Sequence, residues 1–230
     1  MLDLPITHCM TIGNRPDLLR QTLGSLQTLR NLPTIAINDF NDTATNDVLQ
    51  EMCPNAVIVG PRHHLGHHPA VDQMYSHVKT PYIFHNEDDW EFFRTDFLRD
   101  AIALLEAVPL ITSVCLRDTD DLVHSYDQCS KIVTDELNGI RFQRLDNLHD
   151  QWHGFTFNPH VTKLSTWKGL GGYSQFAKER HVSRHLRSKG QFVAFLRPGA
   201  CRHSGEGRSS TWKPSQFRRF KAWLRGEKAG

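Results

Sequence analysis

Short apolar runs of strand length alternate with stretches of helical spacing through the first half of this chain, and that alternation restricts its fold more than any other feature. Residues 6–10 form the first run. After Asn14-Arg15-Pro16, the residues Leu19, Leu23 and Leu26 recur at helical spacing, with Pro16 suited to a first helical turn. Residues 34–37 make a second run, ending in Asn38-Asp39, and residues 56–59 a third. Tyr82-Ile83-Phe84 reads as a buried strand closed at once by Asn86-Glu87-Asp88-Asp89. Thr95 or Asp96 then caps a helix that carries Phe97, Ala101, Leu104 and Leu105 on one face. Residues 110–116 predict a further strand, and the polar, Asp-rich stretch 117–150 reads as loops with a short hairpin. Beyond it, 154–157 reads as a strand, Ser165 as the cap of a short helix, 179–188 as a helix and 191–196 as a strand. The expected fold is α/β, with a mainly parallel central sheet flanked by helices.

A chain of 230 residues suits one such domain and is short for two, and 39% hydrophobic with 23% charged residues matches ordinary globular usage. The expected division is a globular domain over 1–209 and a basic, aromatic tail over 210–230. No run approaches the roughly 18 to 20 apolar residues of a membrane span, and no basic-then-apolar leader opens the chain. Five widely spaced cysteines without a C-x-x-C pair argue against a disulfide framework and against a cysteine zinc site, so a reducing cytoplasm is the expected setting. The net charge of +2 conceals a division: residues 177–230 hold 14 Lys and Arg against Glu179, Glu206 and Glu227, a balance of +11, which leaves −9 for residues 1–176. A basic last part suits an anionic partner.

In open α/β sheets ligands bind beyond the carboxyl ends of the strands, where Asp39 and the Glu87-Asp88-Asp89 run both fall. Three consecutive carboxylates repel one another unless a positive group lies among them, and a hard divalent cation with oxygen ligands is the usual answer.

The run Tyr82-Ile83-Phe84-His85-Asn86-Glu87-Asp88-Asp89-Trp90 resembles the strand and D-x-D signature of inverting GT-A glycosyltransferases related to family 2, with Glu87 and Asp89 in the outer positions. Gly66 lies six residues before Asp72, and Asp72 ten before Tyr82, where the family has a glycine and a polar residue, commonly Asn. The segment from Thr11 through Arg15 to Leu19 is similar to the family's first loop and helix, which border the nucleotide base, and Asp39 matches an acidic residue that binds uracil or ribose. Lys178-Glu179 stands where the family has its Glu-Asp pair, aligned on Leu186 and Gly190, which puts Glu179 on the catalytic base. Arg202-His203-Ser204-Gly205 resembles the histidine motif that completes metal coordination. The resemblance runs from residue 6 to residue 209, with 117–150 unmatched.

What the resemblance implies is a single GT-A domain that moves a sugar from a nucleoside diphosphate, UDP by preference, onto an acceptor hydroxyl with inversion. Mn²⁺ or Mg²⁺ would be bound by Glu87, Asp89 and His203; Thr11, Arg15, Asp39, His67, Glu87 and Asp88 would border the donor; and Glu179 would be the general base. Arg62-His63-His64-Leu65-Gly66-His67-His68 also invites a zinc reading, but adjacent histidines in a Gly/Pro loop fix no geometry; in the family this loop passes the donor, so His67 or His68 contacts it. Trp152-His153-Gly154-Phe155, Trp167 and Gly171-Gly172-Tyr173 fall where the family faces its acceptor. The tail interleaves Arg208, Lys213, Arg218, Arg219, Lys221, Arg225 and Lys228 with Trp212, Phe217, Phe220 and Trp223, which suits a modified, hydroxyl-bearing DNA base or an anionic membrane glycolipid as acceptor. A soluble glycan needs no tail. The rival classes are a nucleotidyltransferase, which usually brings a Gly/Lys-rich phosphate loop not evident here, and an inactive nucleic-acid-binding module.

Overall fold

The computed structural model describes residues 4–122, 126–149 and 154–205. The first unit runs β1 (Ile6–Ile12), α1 (Pro16–Ser25), β2 (Thr34–Asn38), α2 (Thr43–Met52), β3 (Val57–Val59), α3 (His67–Tyr75) and β4 (Tyr82–Glu87). β1 and β2 are buried along almost their whole length, as strands covered on both faces by helices must be. Pro16 opens α1 as expected, and Asp42 caps α2 by accepting from Thr45 N at 2.9 Å. α3 was not expected: the histidine loop ends at Gly66 (φ 84°), and His67 and His68 begin a helix with Pro69 in its first turn.

The chain continues through β5 (Trp90–Phe92), α4 (Phe97–Ala107), β6 (Ile111–Cys115), α5 (Tyr126–Cys129), β7 (Val133–Leu137), β8 (Ile140–Arg144), β9 (His160–Lys163), α6 (Leu164–Leu170), α7 (Glu179–Arg187), β10 (Phe192–Arg197) and β11 (Cys201–His203). Nine strands form one sheet in the order β3-β2-β1-β4-β9-β6-β10-β8-β7, while β5 and β11 pair separately. The sheet is mostly parallel, as expected, but mixed. β3, β2, β1 and β4 are parallel neighbours, as are β6 and β10. β9 runs antiparallel between β4 and β6, and the β7–β8 hairpin closes the far edge antiparallel to β10. That hairpin turns at Asn138 and Gly139, with φ of 51° and 81°, the backbone that a two-residue turn matched to strand twist requires.

Three local expectations fail for identifiable reasons. Residues 154–157 are not a strand, because α7 rather than a neighbouring strand satisfies their backbone: Ser183 Oγ donates to Phe155 O at 3.0 Å and Phe157 N donates to Glu179 Oε1 at 2.7 Å. Asp96 precedes α4 but makes no capping bond, since its carboxylate pairs with Arg94 at 2.7 Å. Ser165 lies inside α6, whose N-cap is Lys163.

One face of the sheet packs Phe84, Phe92, Phe97, Leu104 and Leu105 under α4; the other packs Met74, Tyr75, Phe155, Phe157, Tyr173 and Leu186 under α3, α6 and α7. Cys9, Cys53, Cys115 and Cys201 are buried and Cys129 is exposed, all as free thiols. Among the described residues no helix is long and apolar enough to cross a membrane. The tail over 210–230, and Trp152 and His153, lie outside the described residues.

Candidate functional site

The carboxyl ends of β1, β2 and β4 lie side by side, which brings Thr11, Asp39 and Glu87 to one edge; Thr11 is in register with Glu87. After β4 the chain turns through Asp88 and Asp89 into β5. Thr22 on α1 clamps this turn from beneath, its hydroxyl donating to Asp88 O at 3.0 Å and accepting from Trp90 N at 3.1 Å. Asp88 is wholly buried and receives Gly13 N at 3.0 Å and Arg15 Nη2. Burial raises its carboxyl to about 6, against the pull of Arg15 and the Gly13 amide.

Asp89 meets the last strand. β5 and β11 pair with His203 opposite Trp90, Ser204 N donates to Asp89 O at 2.9 Å, and His203 Nε2 lies 3.2 Å from Asp89 Oδ2. Arg15 Nη1 reaches the same oxygen. Burial works against the Asp89 carboxylate, but the His203 hydrogen bond and Arg15 outweigh it and hold its pKa below the ordinary value. Trp90 packs between His203, ring centres 5.1 Å apart, and the Arg117 guanidinium, 5.6 Å from its ring centre.

A divalent cation finds part of a coordination set at this turn. Asp89 Oδ1 is buried with no hydrogen-bond partner, the kind of unmet acceptor a hard cation satisfies, and the His203 imidazole stands beside it. Asp89 and His203 thus fit Mn²⁺ or Mg²⁺ as a pair. The three-ligand set of Glu87, Asp89 and His203 is not gathered: among the described residues no three His, Cys, Asp or Glu side chains group to hold a metal. Glu87 turns instead to Trp90 Nε1 at 3.3 Å and to His67 Nε2 at 3.9 Å, because it ends β4 while Asp89 lies beyond the turn. Burial first, then Asp89, raises Glu87 to about 8.

Asp39 is more engaged than its sequence position suggests. Leu65 N donates to Oδ1 at 2.7 Å and Gly66 N to Oδ2 at 2.9 Å, while His64 Nδ1 lies 2.8 Å from Oδ2. It therefore fixes the histidine loop to the end of β2. His67 and His68, the first residues of α3, both pack on Phe157, with ring centres 4.5 and 5.3 Å from it.

Glu179 begins α7 and is held against the segment before β9. Phe157 N and the Thr156 side chain hold its carboxylate, yet burial prevails and raises its pKa. Its charge is felt by Glu87 and by Cys115. Beside it a cavity of about 30 Å³ is lined by Arg117, Phe155, Thr156, Asn158 and Phe195, among others. Sequence reasoning missed Thr22, Thr156 and Arg117. An arginine placed two residues after a buried strand was the one signal available. Trp167 and Tyr173, expected at the acceptor, instead donate to Asp72 (Trp167 Nε1 at 2.6 Å, Tyr173 N at 2.7 Å), and the Tyr173 side chain is buried in the core.

No family model matches the sequence, and no curated protein does at a significant level. The fold is similar to solved structures. A mannosyltransferase from Pyrobaculum calidifontis, in complex with GDP-Man and Mn²⁺, aligns with a TM-score of 0.67 at 13% identity, covering 89% of this chain and 58% of that one. TarS 1–349 from S. aureus in complex with UDP-GlcNAc aligns with a TM-score of 0.59 at 10% identity, covering 90% of this chain and 61% of that one. The same protein with UDP gives 0.58 at 11% identity, covering 86% and 60%. This chain thus spans about three-fifths of the length of these neighbours.

Proposed function

We propose that this chain is a nucleotide-sugar-dependent glycosyltransferase of the GT-A type that inverts configuration. The observation that carries the reading is the convergence of Asp89 and His203, 3.2 Å apart, at the end of β4, with the buried carboxylate of Glu179 within electrostatic range of Glu87. The mannosyltransferase and TarS structures, which hold GDP-Man and UDP-GlcNAc on a similar fold, support it. Neither identifies the donor of this chain, although UDP remains the first to try.

In this scheme Thr11, Asp39 and the loop it fixes border the base and ribose, while Arg15 and His67 face the diphosphate. Asp89 and His203 would hold Mn²⁺ or Mg²⁺, which would supply charge stabilisation to the departing nucleoside diphosphate. Asp88, tied to Gly13 N, keeps the first loop against the acidic turn. Glu179 accepts the proton of the acceptor hydroxyl as that oxygen attacks the anomeric carbon from the face opposite the leaving group. The Phe157 amide and Thr156 aim its carboxylate, and burial raises its affinity for the proton. Attack from the opposite face inverts the anomeric centre.

The basic, aromatic composition of 210–230 directs the acceptor reading toward an anionic surface: a hydroxyl-bearing DNA base or a membrane glycolipid. Steep salt dependence of binding to plain duplex DNA supports the first, and co-sedimentation only with anionic vesicles the second. The test of the activity itself is hydrolysis or transfer from a panel of UDP- and GDP-sugars with Mn²⁺, with the anomeric configuration read by proton NMR at first turnover. Inverted product is expected. Retained configuration overturns the mechanism, and silence with every donor moves the chain to an inactive nucleic-acid-binding module.

A further inference from the structure

Arg15 stands at the N-cap of α1 and spans the acidic turn, one guanidinium nitrogen on Asp88 Oδ1 and the other on Asp89 Oδ2. The two carboxyl side chains keep only 0% and 8% of their surface, so their mutual repulsion is little screened by water and the guanidinium supplies the compensating charge. The Glu87 carboxyl lies within its field as well. A divalent cation arriving at Asp89 would meet that guanidinium on the oxygen that also contacts His203, leaving only Oδ1 without a partner. Two cations at bonding distance from one carboxylate repel strongly at low dielectric. The forked donors of arginine fit phosphate oxygens as well as they fit carboxylates, so an incoming diphosphate offers Arg15 an equivalent seat.

We propose that Arg15 and the divalent cation exclude one another at Asp88 and Asp89, so that metal enters together with the nucleoside diphosphate, which draws the guanidinium off the carboxylates and onto its phosphates. The inference rests on the glycosyltransferase reading and assigns Arg15 a role that donor contact alone does not require. Metal and nucleotide then bind weakly apart and tightly together, and by linkage each strengthens the other by the same factor. An uncharged side chain at position 15 uncouples them.

The test measures free Mn²⁺ by electron paramagnetic resonance while wild type, Arg15→Gln and Arg15→Lys are titrated with Mn²⁺, alone and with UDP or GDP. Arg15→Gln is expected to bind Mn²⁺ alone about tenfold more tightly than wild type and to gain less on adding nucleotide. Arg15→Lys keeps the charge without the fork and falls between; it carries the test if the glutamine variant does not fold, which circular dichroism reports. Unchanged or weaker Mn²⁺ binding in the variants, while wild type binds both ligands, overturns this inference alone. If wild type binds neither Mn²⁺ nor either nucleotide, the transferase reading falls with it.

Discussion

At the scale of single residues, Asp72 and Glu179 show one side-chain type in two roles set by its surroundings. The Asp72 carboxylate accepts from Trp167 Nε1, Tyr173 N, Ser174 N and the Ser174 hydroxyl at 2.5–2.7 Å, so it pins the Gly171–Ser174 loop to α3. Each buried donor left unmet costs about 1–3 kcal/mol, and Asp72→Ala should lower unfolding free energy by about 3 kcal/mol in urea titration. Asp72→Asn, with one acceptor oxygen in place of two, should cost less. A wild-type urea midpoint in Asp72→Ala would show that the loop holds without it. Glu179 meets fewer donors and more desolvation, which raises its pKa above the ordinary 4.5. Its ionised form is the one that accepts a proton. The acid limb of the transfer rate should therefore lie above the range of an exposed glutamate, with activity present at high pH and lost as pH falls through the raised value. Glu179→Gln should lose about 10²–10⁴ in kcat while nucleotide binding persists. A limb at the ordinary value, or an active Gln variant, removes Glu179 from the role of base.

At the scale of elements, adjacent strands bury histidines that the proposed chemistry does not use. His8 on β1 stacks on Phe84, and His85 on β4 pairs in register with His160 on β9, their rings 5.1 Å apart. Burial lowers His8 and His160 to about 4 and holds His85 well below the ordinary histidine value. The unfolded chain, with histidine near 6.5, binds protons that the folded chain refuses, so this stability is complete above 6.5 and lost as pH falls toward 4. At about 1.4 kcal/mol per unit, His8 and His160 should each withdraw about 3 kcal/mol over that window. Urea unfolding of wild type and His160→Gln at pH 7 and pH 4.5 measures it, because the raised carboxyls of Glu87 and Asp88, which act with the opposite sign, are common to both; the variant should lose less stability on acidification, and an equal change in the two contradicts the account. The same strands mark the limit of what the sequence discloses. β1, β2 and β4 were legible because continuous apolar burial leaves a continuous apolar run. β9 was not, since three of the four residues in His160-Val161-Thr162-Lys163 are polar, and only its neighbours β4 and β6 make it a strand. α3 left a signal in Pro69 just beyond Gly66 that the histidine cluster obscured. Asp39 was legible by type and position, but its bonds to Leu65 and Gly66 depend on a loop conformation that no spacing encodes. The Asp89–His203 pair was legible only through family resemblance, because a three-residue ladder between β5 and β11 creates it.

Across the whole molecule, the candidate site exists only when segments remote in sequence are held together. Gly13 bonds Asp88 across 75 positions, Asp89 meets His203 across 114, and Phe157 N meets Glu179 across 22. A ligand spanning these groups binds the folded chain and finds nothing comparable in the unfolded one, so its binding free energy adds to the stability of the whole domain rather than of one loop. A nucleoside diphosphate present with Mn²⁺ at about 100 times its dissociation constant should contribute about 2.7 kcal/mol. For a chain of this size each kcal/mol moves the midpoint by about 2–4 °C, which predicts a rise in Tm of about 5–10 °C. Either component alone, at the same concentration, should give a smaller shift than its share of the pair, because Arg15 must leave Asp88 and Asp89 before the metal can enter. Differential scanning fluorimetry across UDP, GDP, ADP and CDP, each with and without Mn²⁺, reads base preference and metal coupling from one set of melts. A midpoint that no nucleotide moves, with or without metal, would mean that the remote segments meet for structural reasons and that the cleft they enclose does not bind a sugar donor.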